Sequence, residues 1–338
     1  MEIKFERYHL QSELLSPLHE FKRISVPTEI RVDPLTKRRS RIITWSLPPT
    51  EKFDFSRMAE VSKGCVFCPE NVLIKTPKFI EEVVPEGRIL IGQAVGFPNL
   101  FPAGASGSVV VLCQEHFLSL DQFTPQLYEQ GLSVSLEIIR RMIRFDPDLG
   151  YWQISQNFLL PGGSSILHPH LQVIGDPIPT NEMEWLMDAT ASYKERNKTV
   201  FWKDLVETEK RLGERFIATH GNVHWFVSFA PIGFNEVCAW VENHSSILTL
   251  GQEEITILAR GIVSTLKYYD QKSLNSFNFA LYGVLDESSP LLFLRIISRT
   301  PFQPSYLNDC TSFEVLQSEL TSNIYPEELC REIRPYFT

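Results

Sequence analysis

The sequence lacks the features that suit a membrane protein or a nucleic-acid-binding protein. No apolar run reaches the roughly 18 residues of a membrane-spanning helix. The N-terminal stretch from Met1 to Arg7 is charged and lacks the apolar centre of a signal peptide. Acidic residues outnumber basic residues by 41 to 32, and the net charge of −9 argues against a broad nucleic-acid surface. We therefore expect neither a membrane nor a nucleic acid as partner.

Cysteine is also scarce, and its distribution indicates a reducing compartment. The 338 residues include six cysteines without the regular spacing of a disulfide framework. Four of them are isolated in the sequence and of the kind that is usually buried as a small apolar residue: Cys113, Cys238, Cys310 and Cys330. The sequence therefore predicts a cytoplasmic protein.

The two remaining cysteines form a pair that predicts a metal site. Cys65 and Cys68 have the Cys-x-x-Cys spacing at which two thiolates bind one tetrahedral zinc ion (Zn2+). A complete site needs two further ligands, and His116 and His168 are the available nitrogen donors. The alternatives are a disulfide and a redox pair. A redox pair normally opens a helix in a thioredoxin-like βαβ unit, and no such unit is visible after Pro69.

The stretch from Leu167 to Val173, which reads Leu-His-Pro-His-Leu-Gln-Val, carries the most chemical information. In a β-strand, His168, His170 and Gln172 would point to one face. An imidazole there can bind a metal, act as a general base or act as a nucleophile, whereas glutamine cannot move a proton. The combination suits a histidine that attacks phosphorus and holds the transferred group. The alternative is a strand whose histidines are merely exposed.

The residues just before this stretch support a phosphate ligand. The segment from Gly162 to Ser165 is small and flexible, so backbone and hydroxyl donors can approach a phosphate closely. The segment from Tyr151 to Asn157 reads as a strand that ends in polar residues.

The order of these motifs resembles the galactose-1-phosphate uridylyltransferase family, a branch of the histidine-triad superfamily. The resemblance covers most of the chain and is strongest from Asn157 to Gln172. It is carried by Arg31-Val32-Asp33-Pro34-Leu35-Thr36, Cys65-x-x-Cys68, Phe97-Pro98-Asn99-Leu100-Phe101, His116, Asn157, and Ser164-Ser165 through His168-Pro169-His170-Leu171-Gln172.

The resemblance implies roles for these residues. His170 would be the nucleophile, and Gln172 would support the nucleotidylated intermediate. Five positions would hold the base, ribose or phosphate of the nucleotide: Phe97, Asn99, Asn157, Ser164 and Ser165. The resemblance also implies a homodimer that binds a nucleotide sugar and a sugar phosphate.

The implied activity is transfer of a nucleoside monophosphate group between a nucleotide sugar and a sugar 1-phosphate through a covalent histidine. Hydrolases of the superfamily have a third histidine where this chain has Gln172, which favours transfer or phosphorolysis over hydrolysis. A phosphorylase acting on ADP-glucose or diadenosine tetraphosphate is one alternative. A non-catalytic protein that binds nucleotide or zinc is another.

An internal repeat predicts a duplicated fold. Residues 107–116 are echoed by residues 235–244, an offset of domain size. We predict an α+β chain of two histidine-triad-like halves, residues 1–180 and 181–338, with antiparallel sheets that form a half-barrel and helices packed outside. The second half has Arg295 and no histidine where the first has His-Pro-His, so we expect the family's second metal to be absent.

Apolar spacing predicts the main secondary-structure elements. We expect helices over residues 125–145, 181–210, 253–269 and 326–336, and buried strands over 109–113 and 237–241. The basic segment from Lys37 to Arg41 reads as a solvated loop, with a phosphate clamp as the alternative.

Overall fold

The computed structural model describes residues 3–43, 52–244, 246–285, 291–303 and 308–338, and it confirms an α+β fold with antiparallel sheets. Its strands are β1 Glu6–Ser16, β2 Lys22–Val32, β3 Arg39–Ile42, β4 Ile89–Ile91, β5 Ala94–Pro98, β6 Ser106–Val111, β7 Tyr151–Phe158, β8 His170–Asp176, β9 Phe216–His220, β10 Val223–Phe226, β11 Phe234–Val241, β12 Phe277–Val284, β13 Leu292–Ser298 and β14 Leu320–Ser322. Its helices are α1 Ser56–Val61, α2 Pro69–Lys75, α3 Pro125–Phe145, α4 Asn181–Asn197, α5 Phe201–Leu212, α6 Gln252–Gln271, α7 Ser312–Gln317 and α8 Pro326–Ile333. Within the described ranges, no helix is long and apolar enough to cross a membrane.

A ten-stranded sheet forms the centre of the molecule and has two similar halves. Its strand order is β4-β5-β6-β8-β7 followed by β12-β13-β11-β10-β9. Each half consists of three strands, a long helix and two further strands, and the second order mirrors the first. β7 and β12 pair in antiparallel fashion from Phe158↔Phe277 to Tyr151↔Val284 and join the halves. A division into two domains near residue 180 stays a prediction.

One face of this sheet is covered by α3 and α6, which form the larger apolar core. Both helices approach the sheet closely at a glycine. A Cβ on Gly131 would lie 2.2 Å from Leu112, and one on Gly261 would lie 2.0 Å from Trp225. The opposite face of the sheet is packed differently in the two halves. In the second half, α4 and α5 cover it with an apolar cluster that includes Leu186, Trp202 and Phe293.

Three of the four predicted helices differ from the structure in where a helix begins, breaks or ends. The helix over 125–145 is confirmed as α3, and α6 extends the predicted 253–269 by a few residues. Residues 181–210 are helical as predicted, except where the chain turns at Lys198, which has a left-handed φ of 59° and separates α4 from α5. The predicted C-terminal helix ends at Ile333. A short 3₁₀ turn containing Pro335 follows, and proline restricts the residue before it and donates no backbone N–H.

A smaller sheet of order β1-β2-β3-β14 contains most of the basic segment from Lys37 to Arg41. The sequence allowed two interpretations of this segment, a solvated loop and a phosphate clamp. Arg38 donates from Nη2 to Glu182 in α4 over 2.9 Å, and Arg41 donates to Glu319 over 2.9 Å. Arg39 pairs with the same Glu319 over 3.1 Å. These arginines therefore form ion pairs within the protein.

Candidate active site and metal centre

The start of β8 places the candidate nucleophile on the open face of the first half. Leu171 and Val173 point into the α3 core, so His170 and Gln172 point to the other face. The expectation that His168 shares this strand face needs correction, because β8 begins at His170. His168 lies in the preceding segment, where the Leu112 amide donates to the Pro169 carbonyl over 3.0 Å.

The ring of His170 is held in one orientation and one tautomer. Its Nδ1 lies 2.8 Å from the carbonyl oxygen of His168. Because a carbonyl only accepts hydrogen bonds, Nδ1 carries the proton and Nε2 keeps its lone pair. Burial lowers the pKa of His170 below its usual range, which favours the neutral ring. His170 is 8% exposed, and its ring contacts Phe67 edge to face, with 5.1 Å between ring centroids.

Next to this histidine, four side chains converge in the way that a metal ion requires. Among the described residues, Cys65, Cys68, His116 and His168 offer ligand atoms that all lie within 4.8 Å of one another. The two sulfurs are 3.7 Å apart, and Cys68 Sγ lies 3.4 Å from His116 Nδ1 and 3.9 Å from His168 Nδ1. Tetrahedral Zn–S bonds of about 2.3 Å would separate two sulfurs by about 3.8 Å. The four predicted ligands are therefore brought together with spacing that could hold a metal such as zinc.

The outer nitrogens of both histidine rings have partners, as in protein metal sites generally. His168 Nε2 lies 2.8 Å from the Cys113 carbonyl oxygen, and His116 Nε2 lies 2.9 Å from Ser62 Oγ. Both arrangements leave Nδ1 facing the sulfurs. Burial lowers the pKa of His168 to about 4 and raises that of the Cys65 thiol to about 11. A cation between the sulfurs would favour the thiolate that metal binding needs.

The other predicted site residues have different surroundings. Phe97 is buried against Phe67, with centroids 5.7 Å apart, and forms part of the apolar floor beside His170. Asn99 Oδ1 accepts from the Phe101 amide over 3.1 Å. Ser164 is buried and donates its hydroxyl proton to the Ile166 carbonyl over 2.7 Å, whereas Ser165 is exposed.

Gln172 and Asn157 lie on neighbouring strands of this face. Gln172 is directly opposite Ser155 in the β7–β8 register, and Asn157 follows two residues along β7. The Gln172 amide is partly exposed and makes no hydrogen bond within the described part of the chain. It is therefore available to a ligand bound beside His170.

Sequence reading missed a set of polar residues from the second half that fixes Asn157. Asn278, on β12, donates from Nδ2 to Asn157 Oδ1 over 2.6 Å and to the Gly162 carbonyl over 2.7 Å. Arg299 donates to Asn278 Oδ1 over 2.9 Å and forms a bidentate pair with Asp309. Asn278 faces Asn157 across the β7–β12 seam. Asn278 reaches Asn157 only through this long-range strand pairing. No local pattern in the sequence could therefore have identified Asn278 as a site residue.

Comparison with known proteins places this geometry in context. No family model matches the chain. An uncharacterized protein from Archaeoglobus fulgidus is 32% identical over 312 residues, which is 90% of this chain and 91% of that protein.

Three solved structures share the fold, each with 19% sequence identity. A galt-like protein from Arabidopsis thaliana has a TM-score of 0.69 over 90% of this chain and 98% of that chain. An ADP-glucose phosphorylase from Arabidopsis thaliana, with bound ADP-glucose, has a TM-score of 0.68 over 91% and 98%. A uridylyltransferase mutant has a TM-score of 0.67 over 91% and 98%. The chain thus belongs to one family with the Archaeoglobus protein, and it shares its fold with the galt-like protein, the ADP-glucose phosphorylase and the uridylyltransferase.

Proposed function

We propose that this protein is a nucleotidylyltransferase that moves a nucleoside monophosphate group from a nucleotide sugar to a phosphorylated acceptor through His170. The observation that carries the proposal is the His170 ring, whose Nδ1 is held by the His168 carbonyl while Nε2 keeps a lone pair. Gln172, free to bind a ligand, stands two residues along the same strand face. This arrangement supports a nucleophile rather than a metal ligand, because the metal donors lie on other residues.

The reaction divides into two displacements at phosphorus. In the first, Nε2 of His170 bonds to the α-phosphorus of the nucleotide sugar, and the bond from that phosphorus to the bridging oxygen breaks. The electron pair leaves with the sugar 1-phosphate. In the second, a phosphate oxygen of the acceptor attacks the same phosphorus, and the N–P bond breaks to return the neutral ring. No net proton transfer is needed at either step.

The absence of a proton requirement explains why glutamine suits this position. A phosphate leaving group is stable as an anion, so the site needs hydrogen-bond donors for the phosphoryl oxygens rather than an acid. The Gln172 amide supplies such donors but cannot shuttle a proton. Water is a poor partner in this site for the same reason, since its attack requires loss of a proton. A glutamine at this position therefore favours transfer over hydrolysis.

The metal centre fits zinc held by Cys65, Cys68, His116 and His168, and the ion would supply structural cross-linking of the segments around the nucleophile. His168 links the metal centre to the nucleophile His170. Its Nδ1 faces the sulfurs, and its backbone carbonyl orients His170. Positioning His168 therefore positions the nucleophile.

The proposal is tested by trapping the intermediate on wild-type protein. The protein is mixed with α-³²P-labelled UDP-glucose and, separately, ADP-glucose, the ligand of one structural relative, and then denatured. We expect label that is stable in alkali and labile in acid, as a phosphoramidate is, and its discharge by hexose 1-phosphate or inorganic phosphate. The identity of the discharging phosphate separates a transferase from a phosphorylase. Absence of label with every nucleotide sugar, together with free monophosphate as the main product, would favour a hydrolase.

Changes at Gln172 are expected to slow transfer without removing the nucleophile. Gln172→Ala deletes one or two charge-assisted hydrogen bonds of about 1.5–3 kcal/mol each, so the transfer rate should fall about tenfold to a hundredfold per bond. Slow labelling of His170 should persist. Gln172→His should raise the ratio of free monophosphate to transferred product. Gln153→Ala, a partly exposed glutamine on β7, is the matched control and should keep the wild-type rate and ratio.

The orientation of Asn157 supports a specific binding role for its amide. The Gly162 carbonyl and the Arg299 guanidinium fix Asn278 from both sides, so Asn278 Nδ2 must donate to Asn157 Oδ1. The Nδ2 group of Asn157 is then left to donate to the ligand. The ligand atom there must be an acceptor, such as a phosphate or ribose oxygen.

Asn278→Ala should therefore weaken substrate binding through Asn157. The variant loses three hydrogen bonds of about 1 kcal/mol each, of which the bond to Asn157 orients the amide that meets the ligand. We expect KM for the nucleotide sugar to rise about tenfold with a smaller change in kcat. Steady-state kinetics measure both constants. Asn222→Ala, which loses bonds to Glu242 and Glu254 far along the sheet, is the control and should leave KM unchanged. An unchanged KM in Asn278→Ala would contradict the positioning role.

A further inference from the structure

A cavity of about 270 Å³ lies beside the end of α6. The described residues that line it belong neither to the candidate active site nor to the metal cluster. Its lining divides into an apolar part, formed mainly by phenylalanine, and a polar part that carries charge. Apolar cavities of about 150 Å³ already bind benzene, so this cavity has room for a ligand with one aromatic ring.

The apolar part is a row of four phenylalanines that come from three segments of the chain. Phe53 and Phe55 have ring centroids 4.8 Å apart, and the ring of Phe117 follows with its centroid 4.9 Å from that of Phe55. Phe158 stacks against Phe117 with centroids 6.4 Å apart. We call these four residues, all of which line the cavity, the phenylalanine wall. Because the faces of aromatic rings carry negative potential, such a wall packs against apolar groups and attracts cations.

The charged side chains that line the cavity are two carboxylates, Asp121 and Asp270, and one ammonium, Lys52. Lys52 Nζ lies 2.6 Å from Asp270 Oδ2, and the Lys52 side chain is 63% exposed. Within the described part of the chain, the Asp121 carboxylate accepts a hydrogen bond only from the Ser119 hydroxyl, over 2.5 Å. The carboxylates at the cavity therefore outnumber the ammonium by one.

The end of α6 adds to this negative charge. Asp270 lies in the last turn of the helix, and Ser273 and Leu274 follow directly after it; all three line the cavity. The C-terminal end of an α-helix carries a partial negative charge that stabilises cations within about one turn. The helix end, the excess carboxylate and the phenylalanine wall thus all favour a ligand that combines a positive charge with an apolar body.

We propose that this cavity binds a small organic cation, namely a protonated amine carried on a single aromatic ring. The ring packs against the phenylalanine wall, and the ammonium group meets the carboxylates of Asp121 and Asp270. A neutral compound of the same shape lacks the attraction to these carboxylates, and an aromatic carboxylate is repelled by them. The proposal does not depend on the chemistry assigned to His170.

Isothermal titration of the full-length protein with benzylamine tests the class of ligand. Benzylamine has one ring and is protonated at neutral pH. We expect one benzylamine to bind per chain, with an affinity about tenfold higher than that of benzyl alcohol, a neutral compound of the same size. Benzoate should not bind. No binding of benzylamine, or equal affinity for benzylamine and benzyl alcohol, would overturn the proposal.

Substitutions of the three charged residues should change the affinity in opposite directions. Asp121→Asn and Asp270→Asn each remove a negative charge while keeping the shape of the side chain, so each should weaken benzylamine binding severalfold. Lys52→Met removes the ammonium that pairs with Asp270, so it should strengthen binding severalfold. Asp148→Asn, at an exposed position outside the cavity, is the matched control and should bind as the wild type does. Wild-type affinity in both aspartate variants, or weaker binding in Lys52→Met, would refute the assigned site.

Methyl groups in the cavity report where the ligand lies. Leu120 and Leu274 line the cavity, whereas Leu212 lies at the end of α5 and outside it. In protein with ¹³C-labelled leucine methyl groups, saturating benzylamine should shift the NMR signals of Leu120 and Leu274 and leave the signal of Leu212 in place. Shifts that leave out both Leu120 and Leu274 would show that benzylamine binds elsewhere and would contradict the proposal.

Discussion

His170→Ala should lower turnover by about three orders of magnitude or more, because it removes the atom that bonds to phosphorus. No radioactive label should remain on the denatured variant after incubation with α-labelled nucleotide sugar. The substitution deletes one hydrogen bond to the His168 carbonyl and a contact with Phe67. It leaves the four metal ligands in place, so metal content and thermal unfolding should stay close to those of the wild type.

Two further variants make this result specific. His224→Ala removes another buried histidine, one that bonds to Thr219 and Glu242 in the second half, and should retain normal turnover. His170→Gly opens a space that added imidazole can enter, and we expect partial recovery of transfer with imidazole as the nucleophile. Full activity of His170→Ala would remove His170 from the mechanism.

Loss of one metal ligand should have the largest effect on stability. Purified wild-type protein should contain about one zinc per chain by elemental analysis, and Cys68→Ser should contain almost none. An ion present at a thousand times its dissociation constant stabilises a fold by about 4 kcal/mol, so the midpoint of thermal unfolding should fall markedly. Chelation of the wild type should reproduce the shift.

Cys310→Ser is the matched control for this experiment. Cys310 is exposed and lies outside the metal cluster, so its replacement should leave zinc content and unfolding midpoint unchanged. Wild-type protein prepared without chelators and found free of metal would contradict the zinc assignment. Two tightly bound metal ions per chain would contradict the expectation of a single site.

Local patterns in the sequence were sufficient for the parts of the site that depend on short-range geometry. The Cys-x-x-Cys spacing predicted that Cys65 and Cys68 lie together, and strand alternation predicted that His170 and Gln172 share a face, whereas His168 lies outside the strand. Apolar periodicity likewise predicted α3 and α6. The same reasoning failed where a single residue sets the outcome, as at Lys198, where a left-handed turn separates two helices.

Contacts between distant strands were beyond sequence reading. Asn278 reaches Asn157 because β12 pairs with β7, and nothing within either segment specifies that pairing. Arg38 and Arg41 read as a loop or a phosphate clamp, whereas their partners, Glu182 and Glu319, lie far away in the sequence. The fold determines which residues form such ion pairs, so the sequence alone does not identify the partners.

The seam between β7 and β12 has a consequence for how such a molecule can change over time. In an assembly of two identical chains, each substitution would appear on both sides of the axis. Here the halves are covalently joined, so each can drift separately. The first half has His170 on its open face, while Arg295 and Glu236 occupy the matching face of the second half beneath α4 and α5. A covalent junction of this kind allows one half to be filled as scaffold while the other keeps an open face.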